Sequence, residues 1–198
     1  MLDLYRLAFD IHNLFERKQL SYFLAFGSAV GAIRHEGFIP WDDDLDIIII
    51  DTDEKSIFNK ISDNEWNENN IKIAKGYSSG VWDYKLFHAN SDSGNFPSCD
   101  VFVITLDTFH NKYVFKNSNL NRNRPHQFDV TEVRNPTLSK FGDFHMRVLS
   151  PKSYEYLNNR KGKYWKHVGF TKHYDHSYDQ HLIPMAFEIP NNLKQVKE

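Results

Sequence analysis

Apolar residues recur at i, i+3 and i+4 through Leu4, Leu7, Ala8, Ile11, Leu14 and Phe15, which predicts an amphipathic helix over 3–19. The pattern then changes. Residues 21–26 form a short aromatic and aliphatic run ending at Gly27, a predicted strand. Gly27-Ser28 opens a second helical stretch to about Arg34, stopped by Gly37 and Pro40. Residues 45–50 are β-branched, continuous and too short for a helix, and so predict a buried strand. A further helix is expected over 53–70, with Ile57, Phe58 and Ile61 on its apolar side and Thr52 or Asp53 as its cap. Strands are expected at 71–74, 82–88 and 100–104, with a polar loop over 89–98. Beyond these, 117–123 reads as a polar turn, the pattern weakens after Pro136, 151–158 reads as a short helix start, and the polar tail past Pro190 as a frayed end. The order of helix, strand, helix, strand, helix and then antiparallel strands predicts an α+β protein, a mixed sheet with helices packed on it.

Chemistry concentrates where the isoleucine strand begins. Asp42, Asp43, Asp44 and Asp46 crowd one short stretch, and like charges so close raise the cost of ionising them all. On a strand, Asp44 and Asp46 point to one face while Leu45 points into the core. Asp42 shares that parity, although Pro40 and Trp41 precede it. Asp100 opens the apolar run Val101-Phe102-Val103-Ile104. Two such carboxylates together with phosphate oxygens suit Mg²⁺ or Mn²⁺, and a third on a neighbouring strand is what a two-metal site requires. Gly27-Ser28 stands at a strand-to-helix turn, where a bare backbone and exposed N–H groups accept a phosphate. Capping is the ordinary use of aspartate before a structural change, but four such residues before a buried strand exceed what capping needs. An EF-hand loop fits Asp42, Asp44 and Asp46 at positions one, three and five and fails at Ile47, where glycine is required.

Other residues carry two readings each. Arg34 and His35 reach either a diphosphate or a salt bridge with Asp43 or Glu36. Lys85 and Arg147 either neutralise a phosphate or stand solvated. His167, His173, Asp175, His176 and His181 lack both a nearby cysteine and regular spacing, which favours a polar loop over a metal site. Trp41 and Trp82 stack on a base or sugar, or pack in the core. Cys99 reads as a small buried residue.

Composition narrows the classes. The chain has 198 residues, enough for one domain with a real core or a core plus an appendage. With 24 basic and 26 acidic side chains, a large phosphate-contact surface is not expected, so no nucleic-acid partner is either. Aromatic residues at 15% predict an aromatic-rich core. Ile47 to Ile50 is far short of a membrane span, the first residues lack a long apolar signal region, and one cysteine excludes an internal disulfide. A soluble, cytoplasmic protein without a transmembrane segment is the expectation.

The run Gly27-Ser28-Ala29-Val30-Gly31-Ala32-Ile33-Arg34-His35-Glu36-Gly37-Phe38-Ile39-Pro40-Trp41-Asp42-Asp43-Asp44-Leu45-Asp46 closely resembles the signature of the LicD/fukutin family. There, a Gly-Thr/Ser turn precedes Arg-His-x-Gly-Phe-Ile-Pro-Trp-Asp-Asp-Asp-x-Asp. Cys99-Asp100-Val101-Phe102 is similar to that family's later Asp-Ile/Val-Phe strand. Tyr156-Leu157 and Gly162-Lys163-Tyr164-Trp165 loosely resemble its ending, so the likeness runs from about residue 3 to 167. The resemblance implies a nucleotidyltransferase fold related to polymerase β, with a catalytic core over 1–110 and an extension over 111–198 on the acceptor side. It implies transfer of a phospho-alcohol, of phosphocholine or ribitol phosphate type, from a CDP-activated donor to a glycan or glycolipid hydroxyl. Asp44 and Asp46 would hold Mg²⁺, Asp100 would be the third acid, and Gly27 and Ser28 would contact the donor's phosphates, with Arg34 and Lys85 as further candidates. Ala29-Val30 stands in place of Leu-Leu, and Arg160-Lys161-Gly162 in place of Tyr-Gly. Two alternatives remain open: a nucleotidyltransferase moving NMP from an NTP to a small molecule or protein, and an inactive nucleotide-binding or interaction protein.

Overall fold

The helix expected at the N-terminus is α1 (Leu2–Arg17), and it buries the six apolar residues of the periodic pattern. The computed structural model describes residues 1–50, 60–76, 83–90, 97–123 and 126–157, and the backbone of four short strands between 168 and 188. The expectations for 53–59, Trp82, 91–96, the side chains of the 167–181 histidine segment, 162–165 and the tail past Pro190 lie outside those residues.

After α1 come β1 (Tyr22–Leu24), α2 (Phe26–His35) and β2 (Asp44–Ile50). Phe26 starts α2 with φ 38°, turning the chain directly from strand to helix. The helix expected over 53–70 is interrupted: Ser62 is extended and caps α3 (Asp63–Glu68). Its side chain accepts from the Glu65 amide while Glu65 accepts from the Ser62 amide, a reciprocal pair that starts the helix. Then follow β3 (Ile71–Lys75), β4 (Tyr84–His88) and β5 (Ser98–Asp107). Beyond them are β6 (Lys112–Phe115), α4 (Ser118–Asn123), β7 (Gln127–Asp129) and α5 (Val130–Arg134). The turn expected over 117–123 is thus a helix, nucleated by Asn117, whose side-chain oxygen accepts from the amides of Asn119 and Leu120. A hairpin of β8 (Thr137–Phe141) and β9 (Phe144–Val148) precedes a 3₁₀ turn at Pro151–Leu157. The short strands β10 (Val168–Phe170), β11 (Tyr174–Asp175), β12 (Gln180–His181) and β13 (Ala186–Glu188) form two further antiparallel pairs, β10 with β13 and β11 with β12.

The main sheet runs β1-β2-β5-β4-β3, with β6 and β7 added through β5. The strands after β2 do not all pair antiparallel as expected. β5 runs parallel to β2, and a parallel pair needs a long crossover, which the chain supplies between them through α3, β3 and β4. The opposite edge of β5 is shared by β4, against 98–101, and β6, against 104–107. Where β4 gives way, Asp83 accepts the Val103 amide at 2.8 Å and keeps that buried backbone donor satisfied.

Ile47, Ile48 and Ile49 are all buried, as a strand covered on both faces requires. Each such side chain contributes about 1.5–3 kcal/mol by leaving water. Phe26 packs edge-on against Phe102 at 4.8 Å and stacks on Phe115, which meets Phe128 in turn. A second aromatic group joins Tyr5, Phe38, Phe141 and Phe144 beneath the stretch that leads from α2 to β2. Tyr5 Oη accepts the Phe38 amide at 3.0 Å, and Glu36 accepts the Gly142 amide at 2.6 Å and the Lys140 ammonium at 2.9 Å. Gly142 has φ +66°, and a Cβ there would lie 2.7 Å from the Tyr5 ring. Arg147 on β9 donates to both carboxylate oxygens of Glu16 on α1, at 2.5 and 2.7 Å. The hairpin therefore clamps the arm entering the acidic stretch. Among the described residues, no helix is long and apolar enough to cross a membrane.

Candidate active site

Strand register assembles the site. Asp46 on β2 stands opposite Asp100 on β5, and Asp100 stands opposite Lys85 on β4. One step along, Asp44 stands opposite Ser98. With a side-chain period of two, these positions share one face of the sheet. Asp44, Asp46 and Asp100 bring ligand oxygens within 4.8 Å of one another, and Asp42, Asp43 and Asp44 form a second such group. The three acids anticipated as catalytic and metal-holding are thus neighbours, although Asp100 arrives from a distant part of the chain.

Asp46 is anchored to the start of α2. Its carboxylate accepts the Gly27 amide at 3.2 Å, its own amide donates to Ser28 Oγ at 2.9 Å, and its carbonyl accepts the Ala25 amide at 3.0 Å. The carboxylate therefore meets the positive end of a helix, where unpaired N–H groups favour an anion. A Cβ on Gly27 would lie 2.9 Å from Asp42 Oδ2, so glycine admits a second carboxylate against the same turn. Burial, then the charges of Asp44, Asp100 and Asp42, push the Asp46 carboxyl well above the usual carboxylate range; the Gly27 hydrogen bond opposes them.

Lys85 Nζ lies 2.7 Å from Asp100 Oδ1 and donates to Ser98 Oγ at 3.1 Å. Ser98 went unremarked in the sequence, yet its place two residues before Asp100 puts it on the same face. Cys99 points the other way, fully buried, and its thiol is pushed well up by burial and then by Asp100. It is a core residue, as read from sequence.

Two of the anticipated ligand contacts lie deep. Ser28 is 0% exposed and Arg34 3%, and both make hydrogen bonds within the protein. Ser28 meets strand β2. Arg34 Nε donates to His35 Nε2 at 2.9 Å, and burial pulls the guanidinium down to about 10 against the charge of Asp42. Burial and then Arg34 pull His35 down to about 4, so its ring is neutral at pH 7 and accepts that bond. Gly27 and Lys85 stay at the acidic face. Arg147 is committed to Glu16, and Trp41 packs against the core. Tyr5, which supports the arm from a different element, left no signal in the sequence pattern.

Residues 19–151 match the family described as LicD/FKTN/FKRP, nucleotidyltransferase domain, which covers well over half of the chain. This chain belongs to the LicD/FKTN/FKRP family. An uncharacterized protein of Rickettsia typhi is 31% identical over 139 residues, 68% of this chain and 42% of that protein. One from Rickettsia prowazekii is 47% identical over 53 residues, 27% of this chain and 20% of that protein. The lipopolysaccharide cholinephosphotransferase LicD of Haemophilus influenzae is 61% identical over 36 residues, 18% of this chain and 14% of that enzyme. The chain thus spans less than half the length of the relatives it matches. Asp44, Asp46, Asp100, Lys85 and the α2 turn all fall within the LicD/FKTN/FKRP match.

Proposed function

We propose that this chain catalyses the Mg²⁺- or Mn²⁺-dependent transfer of a phospho-alcohol, of phosphocholine or ribitol phosphate type, from a CDP-activated donor to a hydroxyl of a glycan or glycolipid. The observation that carries the reading is the convergence of Asp44, Asp46 and Asp100 on adjacent parallel strands inside the LicD/FKTN/FKRP match. The architecture proposed is a nucleotidyltransferase fold, with 1–110 forming the phosphate side and 111–198 the acceptor side.

The residues fit a hard divalent cation. Their donor set is all carboxylate oxygen, the ligand type that suits Mg²⁺ or Mn²⁺. A cation held by Asp44, Asp46 and Asp100 supplies, when bound, neutralisation of the donor's diphosphate charge. The chain's own groups do the rest. Gly27 and Ser28 hold Asp46 on its strand, and the α2 start offers N–H groups to the donor's phosphates. Lys85 adds positive charge at the end of the row. A carboxylate oxygen of Asp100 takes the acceptor's hydroxyl proton while that hydroxyl oxygen bonds to the phosphorus of the phospho-alcohol. The bond from that phosphorus to CMP breaks, and CMP leaves with the electron pair. Positioning and electrostatics supply most of the rate.

A second reading, NMP transfer from an NTP, is favoured by the nucleotidyltransferase description of the matched family. The two differ in which phosphorus is attacked. Incubation with CDP-choline, CDP-ribitol or NTPs, each with a panel of glycan acceptors, separates them by product. CMP release with a phospho-alcohol on the glycan supports the first reading, and pyrophosphate release without CMP overturns it in favour of the second. Undiminished product from both D44N and D100N would remove the basis of either.

A further inference from the structure

We infer that Lys85 is a positioning residue acting through Asp100: its ammonium is the resident counter-charge of that carboxylate and competes with a divalent cation for it. Lys85 thereby sets how tightly the free protein binds metal. This rests on the metal reading proposed above and deepens it.

The geometry is specific. Lys85 and Asp100 are direct cross-strand partners in the β4–β5 ladder, so the pair is fixed by backbone register and not by a chance side-chain excursion. The ammonium lies 2.7 Å from Asp100 Oδ1 and 3.1 Å from Ser98 Oγ, and Ser98 is itself the cross-strand partner of Asp44. These contacts turn the ammonium along the row of acids. The two side chains are only 18% and 12% exposed, which limits screening by water and salt. Asp46, the next residue in the row, stands opposite Asp100 on its other side.

A carboxylate that already holds an ammonium presents less negative potential to a second cation. A unit charge a few ångströms from a divalent ion in a partly hydrated site changes its binding by about tenfold. The lysine thus trades metal affinity for a neutralised, oriented Asp100 in the free protein. When a donor diphosphate brings its own negative charge, the ammonium has a second anion to turn to.

The test is Mn²⁺ titration of the full chain, reading free Mn²⁺ by electron paramagnetic resonance, without donor or acceptor. K85M keeps the aliphatic stem and removes the charge; it is expected to bind Mn²⁺ about tenfold more tightly than wild type. K85R, which keeps the charge, is expected to restore wild-type affinity, and D46N to lose binding. A merely structural lysine would weaken binding on removal, so the direction of the change decides. Thermal melting gives an independent readout: Mn²⁺ should raise the midpoint of K85M more than that of wild type. K85Q is titrated alongside, so misfolding of one variant leaves the comparison intact. Binding that D46N abolishes but K85M and K85Q leave unchanged or weakened overturns the role of the lysine alone. Absence of Mn²⁺ binding by every form, wild type included, overturns the metal reading and this inference with it.

Discussion

Charge is dense in two regions of this protein, and each handles it differently. At the starts of β2 and β5, Asp42, Asp44 and Asp46 crowd against Asp100, with Lys85 beside the last of them. Along α1 and the β8–β9 hairpin, acids meet bases: Glu16 holds Arg147, and Glu36 holds Lys140. The carboxyl groups register the contrast in opposite directions. Asp46 is pushed up by burial and its acidic neighbours, whereas the hydrogen-bonded Arg147 pulls Glu16 down. Matched charge on the hairpin fastens elements together. Crowded like charge on the sheet works against folding.

The sharpest way to break this contrast is D46N. It should lower transfer by roughly 10³-fold, as loss of a preorganised electrostatic group does. The same change removes repulsion, so the metal-free protein should melt roughly 2–4 °C higher. A fall in both activity and melting temperature would mean that Asp46 is a structural residue like Glu16. The hairpin side is probed by G142A. Alanine would carry the left-handed φ of +66° and press its Cβ into Tyr5, at a cost of about 2 kcal/mol in denaturant unfolding. Because the hairpin holds Glu36 and thereby the arm to Asp42, transfer should fall with it.

The pH dependence of metal-free stability sharpens the comparison further. The raised Asp46 makes the folded state bind more protons than the unfolded one above the ordinary aspartate value, so stability falls as pH rises through that window. One proton sets a slope of at most about 1.4 kcal/mol per pH unit. Glu16 acts in the opposite sense: its stabilisation is present above the ordinary glutamate value and is lost as pH falls through its lowered one. Chemical denaturation of the metal-free protein across pH should show that decline above the ordinary aspartate value, and D46N should flatten it. The smallest effect belongs to E16Q. The pair is about two-thirds buried, and its loss should cost about 1 kcal/mol while leaving transfer per folded molecule unchanged.

Legibility from sequence divides along the same line. α1 could be read because its spacing matches one buried face, and β2 because four isoleucines have nowhere to go but the core. Period-two alternation was enough to place Asp44 and Asp46 side by side. That Asp100 is their neighbour follows from parallel pairing, which no local pattern encodes. The hairpin left little trace because Thr137, Leu138 and Lys140 are exposed and Ser139 is half-buried, so β8 shows no alternation. Gly142-Asp143 between Phe141 and Phe144 was its available signal, a two-residue turn between apolar flanks. The depth of Ser28 and Arg34 was equally hidden, since hydropathy expects both at the surface.

The parallel pairing of β2 with β5 also ties the meeting of the acids to the synthesis of β5. Asp46 and Asp100 are separated along the chain by α3, β3 and β4, and their pairing closes a long loop, the slow class of contact in folding. A nascent chain that has not yet released β5 from the ribosome carries Asp42, Asp44 and Asp46 but not the partner that completes the row. Fragments ending before β5 therefore hold the signature without the site.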